Sequence, residues 1–297
     1  MIVLAPSTSG SFLRLLGKSL PKLGGLLFAS LMFTLPAKAA DQSLVLEGGI
    51  AATLNMPDHV DPVPAVLMLH GFGSSRNEVG DMYKHAAAAL AQKGIASLRI
   101  DFAGFGKSDG DTGMTTVDSQ LAQAKAALDV LMKTDGIDPK RIGVLGFSLG
   151  GGVGTLLASD RAADVKSLVT WSSVGDFQSD FLASLGQKAF DRAKEDGVVG
   201  LDLGWRTIVL KQDFFDSLQN RKIDDAIASY PGAYLTITGA KDFSAAYSDR
   251  FIGLSKSQTK EALVIPDGDH IFGVLSADQS MANSVIMKTA EWFAKTL

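Results

Sequence analysis

The sequence predicts an α/β chain built on a mostly parallel sheet with helices on both faces and an inserted, mainly helical cap. Three observations carry that expectation. Short apolar runs alternate with amphipathic helical patterns from about residue 43 onward. A leading pair of strands is joined across Gly48-Gly49. One long interval, residues 174–230, breaks the alternation without becoming a low-complexity linker.

In chain order, the first element is a leader. It carries Arg14, Lys18, Lys22 and Lys38, no acidic residue, and an apolar run from Leu23 to Leu35 that ends in Pro36-Ala37-Lys38-Ala39-Ala40. A spanning helix needs roughly 20 apolar residues, and this run is shorter. Basic, then apolar, then small residues at alternate positions is the order of a secretory signal peptide, cleaved after Ala39. An uncleaved anchor is the alternative. The expected division is therefore 1–39 leader and 40–297 mature domain, exported to the periplasm or beyond, with no stable membrane insertion after cleavage. Removing the leader's four cations takes the formal net charge from −4 to −8. That balance, without a Lys/Arg cluster, excludes nucleic acid and anionic membrane as expected partners. With 46% hydrophobic residues the chain can bury a large core, and the absence of cysteine excludes a disulfide scaffold and a thiolate metal site or nucleophile. Oligomeric state is not legible.

Ser43–Glu47 and Ile50–Met56 form the leading hairpin. Ala65–Leu69, Ala96–Ile100, Ile142–Phe147, Ser167–Trp171, Tyr234–Thr238 and Ala262–Ile265 read as buried strands, apolar on both faces. Helices are expected over the Ala-rich Glu78–Lys93 and over Thr116–Lys133, where Val117, Leu121, Ala124, Leu128 and Leu131 are spaced 4, 3, 4, 3. Two more follow at Gly151–Ala158 and at the carboxyl end, where Ile286, Ala290, Phe293 and Leu297 keep the same rhythm. In 174–230 there is no clear strand. Phe177, Phe181, Phe190, Trp205, Phe214 and Phe215 lie scattered among charges, which reads as a helical insertion over one end of the sheet.

The strongest chemical signal is Gly146-Phe147-Ser148-Leu149-Gly150, directly after one expected strand and before a helix. Such a turn holds the serine in a strained backbone while the glycines allow strand and helix to approach. A serine hydroxyl needs a base, and the chain has four histidines. His85 falls within a helix, His59 lies in a Pro-flanked turn, and His70 ends a strand too early in the chain. His270, in a loop after the last strand, remains. Asp242, past the strand Tyr234–Thr238, is the expected carboxylate behind it, with Asp176 as rival and Asp269 adjacent to His270 but pointed elsewhere. The order Ser148, Asp242, His270 suits one of the known triad arrangements. Oxyanion donors are expected from the backbone N–H of Leu149 and, in His70-Gly71-Phe72-Gly73, of Phe72. His70 itself reads as a loop brace. No Gly-rich stretch completes a nucleotide-binding pattern and no His/carboxylate pair has metal spacing, so no cofactor is expected.

These pieces resemble the α/β-hydrolase superfamily over essentially all of residues 43–297. Within it, the chain is similar to the serine aminopeptidase S33-type hydrolases and to the cinnamoyl and feruloyl esterases. The resemblance rests on residues 70–73, on the loop Asp101-Phe102-Ala103-Gly104-Phe105-Gly106-Lys107-Ser108-Asp109-Gly110, on the serine turn, and on Asp242 and His270. It implies hydrolysis of esters, amides and related acyl compounds without metal or organic cofactor, and a supporting role for residues 101–110. It also likens the 174–230 segment to an esterase lid. The expected activity is an exported serine hydrolase acting on small-molecule carboxylic esters, short-to-medium acyl or aromatic. Peptidase or amidase, thioesterase, and a non-catalytic binding module are the alternatives. The mild acidic excess of 174–230 disfavours strongly anionic substrates.

Overall fold

The computed structural model describes residues 40–58 and 61–297. The expected leader, its cleavage point after Ala39 and the turn at His59 lie outside them. The strands are β1 (Ala40–Leu46), β2 (Ile50–Met56), β3 (Val63–Leu69), β4 (Ala96–Ile100), β5 (Ile137–Phe147) and β6 (Val165–Trp171), then β7 (Val198–Asp202), β8 (Thr207–Lys211), β9 (Ala233–Gly239) and β10 (Lys260–Ile265). The helices are α1 (Met82–Gln92), α2 (Val117–Met132), α3 (Leu149–Asp160), α4 (Phe177–Leu185), α5 (Gln187–Asp196), α6 (Gln212–Ser217), α7 (Ile223–Ser229), α8 (Ser248–Leu254) and α9 (Ser280–Thr296).

Eight strands form one sheet in the order β1-β2-β4-β3-β5-β6-β9-β10. The β1–β2 and β2–β4 pairings are antiparallel and all others parallel. This is an α/β-hydrolase arrangement. Side chains alternate across it as the strand period requires. Leu67 and Leu69 of β3 pack with α2 and α3, whereas Val66 and Met68 pack with α1 and α9. Both faces are thus covered, and fully buried aliphatics of this kind each contribute roughly 1.5–3 kcal/mol by leaving water. Helix α2 starts where a capping box closes it: Thr116 Oγ1 accepts from Ser119 N and Ser119 Oγ accepts from Thr116 N, both at 2.9 Å.

Three expectations are corrected. The Ala-rich helix begins at Met82, not Glu78, because Glu78, Gly80 and Asp81 all have φ near +60° and break the helical turn. Strand β10 is not buried on both faces: it closes one edge of the sheet and most of its residues are partly or fully exposed. The 174–230 segment also contains strands. Between β6 and β9 the chain runs through α4 and α5, the antiparallel ribbon β7–β8, then α6 and α7. The ribbon escapes notice because each strand has five residues and β7 carries a central Gly200, too short for a period to register.

A buried charge lies near the other edge of the sheet, two strands in. Arg99 of β4 is almost fully enclosed, and its guanidinium reaches Asp41 Oδ2 of β1 at 2.7 Å and Asn77 Oδ1 at 2.9 Å. Asp41 in turn accepts from Asn55 Nδ2 at 2.9 Å.

Candidate active site

Ser148 sits between β5 and α3 at φ 54°, ψ −118°. That backbone is strained for a non-glycine residue, and it is held by Ser148 N donating to Trp171 O of β6 at 2.9 Å. The flanking glycines are required sterically. A Cβ on Gly146 would lie 2.2 Å from Gly150 O, and one on Gly150 would lie 2.1 Å from Leu69 O.

His270 and Asp242 arrive on loops after β10 and β9. The loops are tied together, since Lys241 N donates to Gly268 O at 2.8 Å and Ala240 N to Ile265 O at 2.9 Å. His270 Nε2 stands 3.1 Å from Ser148 Oγ, and its Nδ1 stands 3.0 Å from Asp242 Oδ1. The structure therefore brings all three residues into one hydrogen-bonded line. Asp242 is nearly enclosed, which pushes its carboxyl up. The hydrogen bond and charge of His270, with the hydroxyl and N–H of Ser244, outweigh burial and hold it below the usual carboxylate range. The rivals are engaged elsewhere. Asp176 caps α4 by accepting from Ser179 N, and Asp269 accepts from the N–H groups of Ile271 and Gly273. The imidazole also lies between two rings, Phe147 at 5.0 Å and Phe243 at 5.4 Å between centroids.

The loop after β3 packs against the serine turn, and a Cβ on Gly71 would lie 2.9 Å from the Phe147 ring. The N–H groups of Phe72 and Leu149 have no backbone acceptor among the described residues. Leu149 opens α3, whose amino-terminal dipole favours negative charge. The orientation of Phe72 N–H is set by its neighbour. Phe102 N donates to His70 Nε2 at 3.0 Å, so His70 carries its proton on Nδ1 and donates to Gly71 O at 2.8 Å. Gly71 C=O and Phe72 N–H belong to one planar trans peptide and point opposite ways, so a bond at one end aims the other. Burial pushes the His70 pKa down to about 4, against its bond to Gly71 and the charge of Asp101, which keeps that ring neutral. The 101–110 loop thus braces the site directly through Phe102 N. It is itself closed by Asp101, which takes Lys107 N at 2.8 Å and an ion pair from Arg76.

Sequence reasoning missed Glu78. It is buried beneath the same loop, where its carboxylate accepts from Gly71 N, Ser74 Oγ and Val79 N. Burial raises its pKa to about 7, only partly offset by those three donors. Nothing in Asn77-Glu78 ahead of an Ala-rich stretch signals this. The contact exists only because the chain turns back at positive φ.

Ser148 and His270 open into a pocket of about 800 Å³. Its wall combines Phe72, Phe147, Phe243 and Leu275 from the sheet side with Phe181 and Trp205 from the β6–β9 segment. Of the other phenylalanines of that segment, Phe177, Phe214 and Phe215 are buried in the core instead, and Phe190 is half-buried against it. Among the described residues no group of three or more His, Asp and Glu side chains can hold a metal, and no helix is long and apolar enough to cross a membrane.

A family model described as Serine aminopeptidase, S33, matches residues 60–234. Among curated proteins, an uncharacterized 31.7 kDa protein of the traX-finO intergenic region of Escherichia coli is 32% identical over 155 residues, 48% of this chain and 53% of that protein. The quorum-quenching protein AidA of Acinetobacter baumannii is 32% identical over 120 residues, 39% of this chain and 38% of that one. The matched stretches thus span about half or less of these relatives. Among solved structures, Est1E from Butyrivibrio proteoclasticus with bound ferulic acid superposes with a TM-score of 0.72 at 24% identity, covering 86% of this chain and 98% of that one. DcsB in complex with its substrate analogue gives 0.70 at 15% identity, covering 87% and 100%. At these identities the structures speak to fold.

Proposed function

The chain belongs to the serine aminopeptidase S33 family, and from that premise we propose that it is an exported serine hydrolase that cleaves carboxylic esters through Ser148, His270 and Asp242. One observation carries the reading: the unbroken line Asp242–His270–Ser148 at the floor of an apolar pocket. Ser148 Oγ attacks the acyl carbon while His270 Nε2 takes its proton. Asp242 keeps the imidazole in the Nδ1–H tautomer and stabilises the imidazolium. The oxyanion receives the N–H groups of Phe72 and Leu149. The protonated His270 then gives its proton to the departing alcohol, and water repeats the sequence on the acyl-enzyme. The β6–β9 segment serves as a lid, its Phe181 and Trp205 offering an aromatic wall that suits short-to-medium acyl or aromatic esters.

An aminopeptidase reading draws on the family's description. It would need an anion to hold a substrate ammonium, and the two buried carboxylates facing the pocket, Glu78 and Asp180, are already occupied by internal donors. The test is turnover of phenyl butyrate, methyl ferulate, a butyryl thioester and an aminoacyl anilide by the protein and by S148A. We expect oxygen esters to lead, and S148A to lose at least about 10³-fold in kcat. A thioester or anilide far ahead of every oxygen ester sinks the substrate class, and normal turnover by S148A sinks the nucleophile. Export is supported by the leader pattern of basic, apolar and small residues before Ala40.

A further inference from the structure

Arg206 stands apart from the other arginines. Among the described residues, Arg76, Arg99, Arg141, Arg161, Arg192, Arg221 and Arg250 each hold a carboxylate. Arg206 holds none, and its guanidinium makes no hydrogen bond among the described residues; its carbonyl closes the β7–β8 turn by accepting from Leu203 N at 2.9 Å. The guanidinium lies 5.3 Å from the centroid of the Phe105 ring and lines the same pocket as Ser148. A cation laid on an aromatic face and half-buried is held in place without being neutralised. Next to it Trp205 Nε1 reaches Gly73 O at 3.4 Å, which seats the turn on the loop after β3.

The charges facing the pocket therefore differ from the charges counted along 174–230. Glu78 is buried with three donors on its carboxylate. Asp180 accepts from Gly175 N at 2.7 Å, Asp176 N at 3.1 Å and Tyr247 OH at 2.5 Å. Neither has an oxygen left over for a ligand. Apart from His270, Arg206 is the only basic side chain on the wall among the described residues.

We propose that Arg206 is a specificity-determining residue that receives a carboxylate borne by the substrate away from the scissile bond. The preferred class is then an ester with an anionic acyl or alcohol part, such as a dicarboxylic half-ester or an acyl ester of a hydroxybenzoate. This rests on the reading of Ser148 as an esterase nucleophile. It also reverses the expectation, drawn from the segment's acidic excess, that anionic substrates are disfavoured. A planar guanidinium takes a carboxylate through two parallel N–H bonds, which a lysine cannot reproduce.

The test compares matched ester pairs: monophenyl adipate with methyl phenyl adipate, and 4-(butyryloxy)benzoate with its methyl ester. For at least one pair, kcat/KM for the charged member should exceed the neutral one by about tenfold. In R206Q that ratio should fall to about one or below, through KM more than kcat, and R206K should keep part of it. A ratio near one in the unsubstituted protein for both pairs, or a ratio that R206Q leaves unchanged, overturns the proposal. Adipate and 4-hydroxybenzoate binding, measured by calorimetry, reads Arg206 without turnover. The Kd of at least one should rise about tenfold in R206Q, and equal Kd values for both overturn the proposal even if esters are cleaved. If S148A turns over the esters normally while R206Q still weakens acid binding, the esterase reading fails and the carboxylate site stands.

Discussion

At the scale of single residues, Ser148 and His270 were legible because each follows a strand at the same end of the sheet, and few histidines compete. Asp242 was legible only against a rival, and the geometry gives a clean experiment. D242N should lower kcat on phenyl butyrate by about 10³–10⁴-fold. D176N should remain within a few-fold, since that carboxylate caps α4. Comparable losses in both would remove Asp242 from the third role. Glu78 was not legible, and its burial makes a prediction with a definite sign. Its folded pKa, about 7, lies above the ordinary 4.5. Its contribution to stability is therefore fully present below pH 4.5 and is lost as pH rises through 7. Relative to E78Q, which does not titrate there, the protein should lose up to about 3 kcal/mol of unfolding free energy across that window. Paired denaturant titrations at pH 4.5, 6 and 8 measure it, and a flat difference would mean the carboxylate is hydrated. Using the variant as reference cancels His70, whose lowered pKa works in the opposite direction between about pH 4 and 6.5.

At the scale of elements, the buried strands announced themselves, and β4 matches its expected bounds residue for residue although Ser97 and Arg99 make one of its buried faces polar. The edge position of β10 and the ribbon β7–β8 did not. Strand β10 looks like a buried strand in sequence because an apolar run does not say whether a neighbour covers it. The ribbon β7–β8 packs Ile208 and Leu210 inward but is too short to show a period. The helix start at Met82 was hidden because positive φ at Glu78 and Asp81 is imposed by the loop's contacts, not by propensity. Glycines at the serine turn offer a contrast between elements. G150A should cost about 3 kcal/mol or more, or abolish folded protein, because its Cβ has backbone at 2.1 Å on a fixed strand end. G200A in β7 meets nothing within 4 Å and should stay within about 0.5 kcal/mol. Thermal unfolding of both variants decides, and equal tolerance would mean α3 can slide on β3.

At the scale of the whole molecule, the fold class was legible because the alternation of strands and helices leaves few right-handed parallel topologies. The arrangement of the β6–β9 segment was not, since aromatic content alone cannot separate Phe181 and Trp205, which face the pocket, from Phe214 and Phe215, which do not. If the leader is removed as expected, intact mass and amino-terminal sequencing of the exported protein should find Ala40 first; a start several residues later contradicts the reading. The position of that cut matters for a reason beyond secretion. Asp41 is the counter-ion of the enclosed Arg99, and Arg99 also grips Asn77, the neighbour of Glu78 under the loop that carries Phe72. A peptidase that nibbled two residues past Ala39 would strand a positive charge inside the sheet. Trimming there would act as a quality-control lesion, producing a frayed, short-lived species whose weakest point is connected to the place where chemistry is proposed to occur.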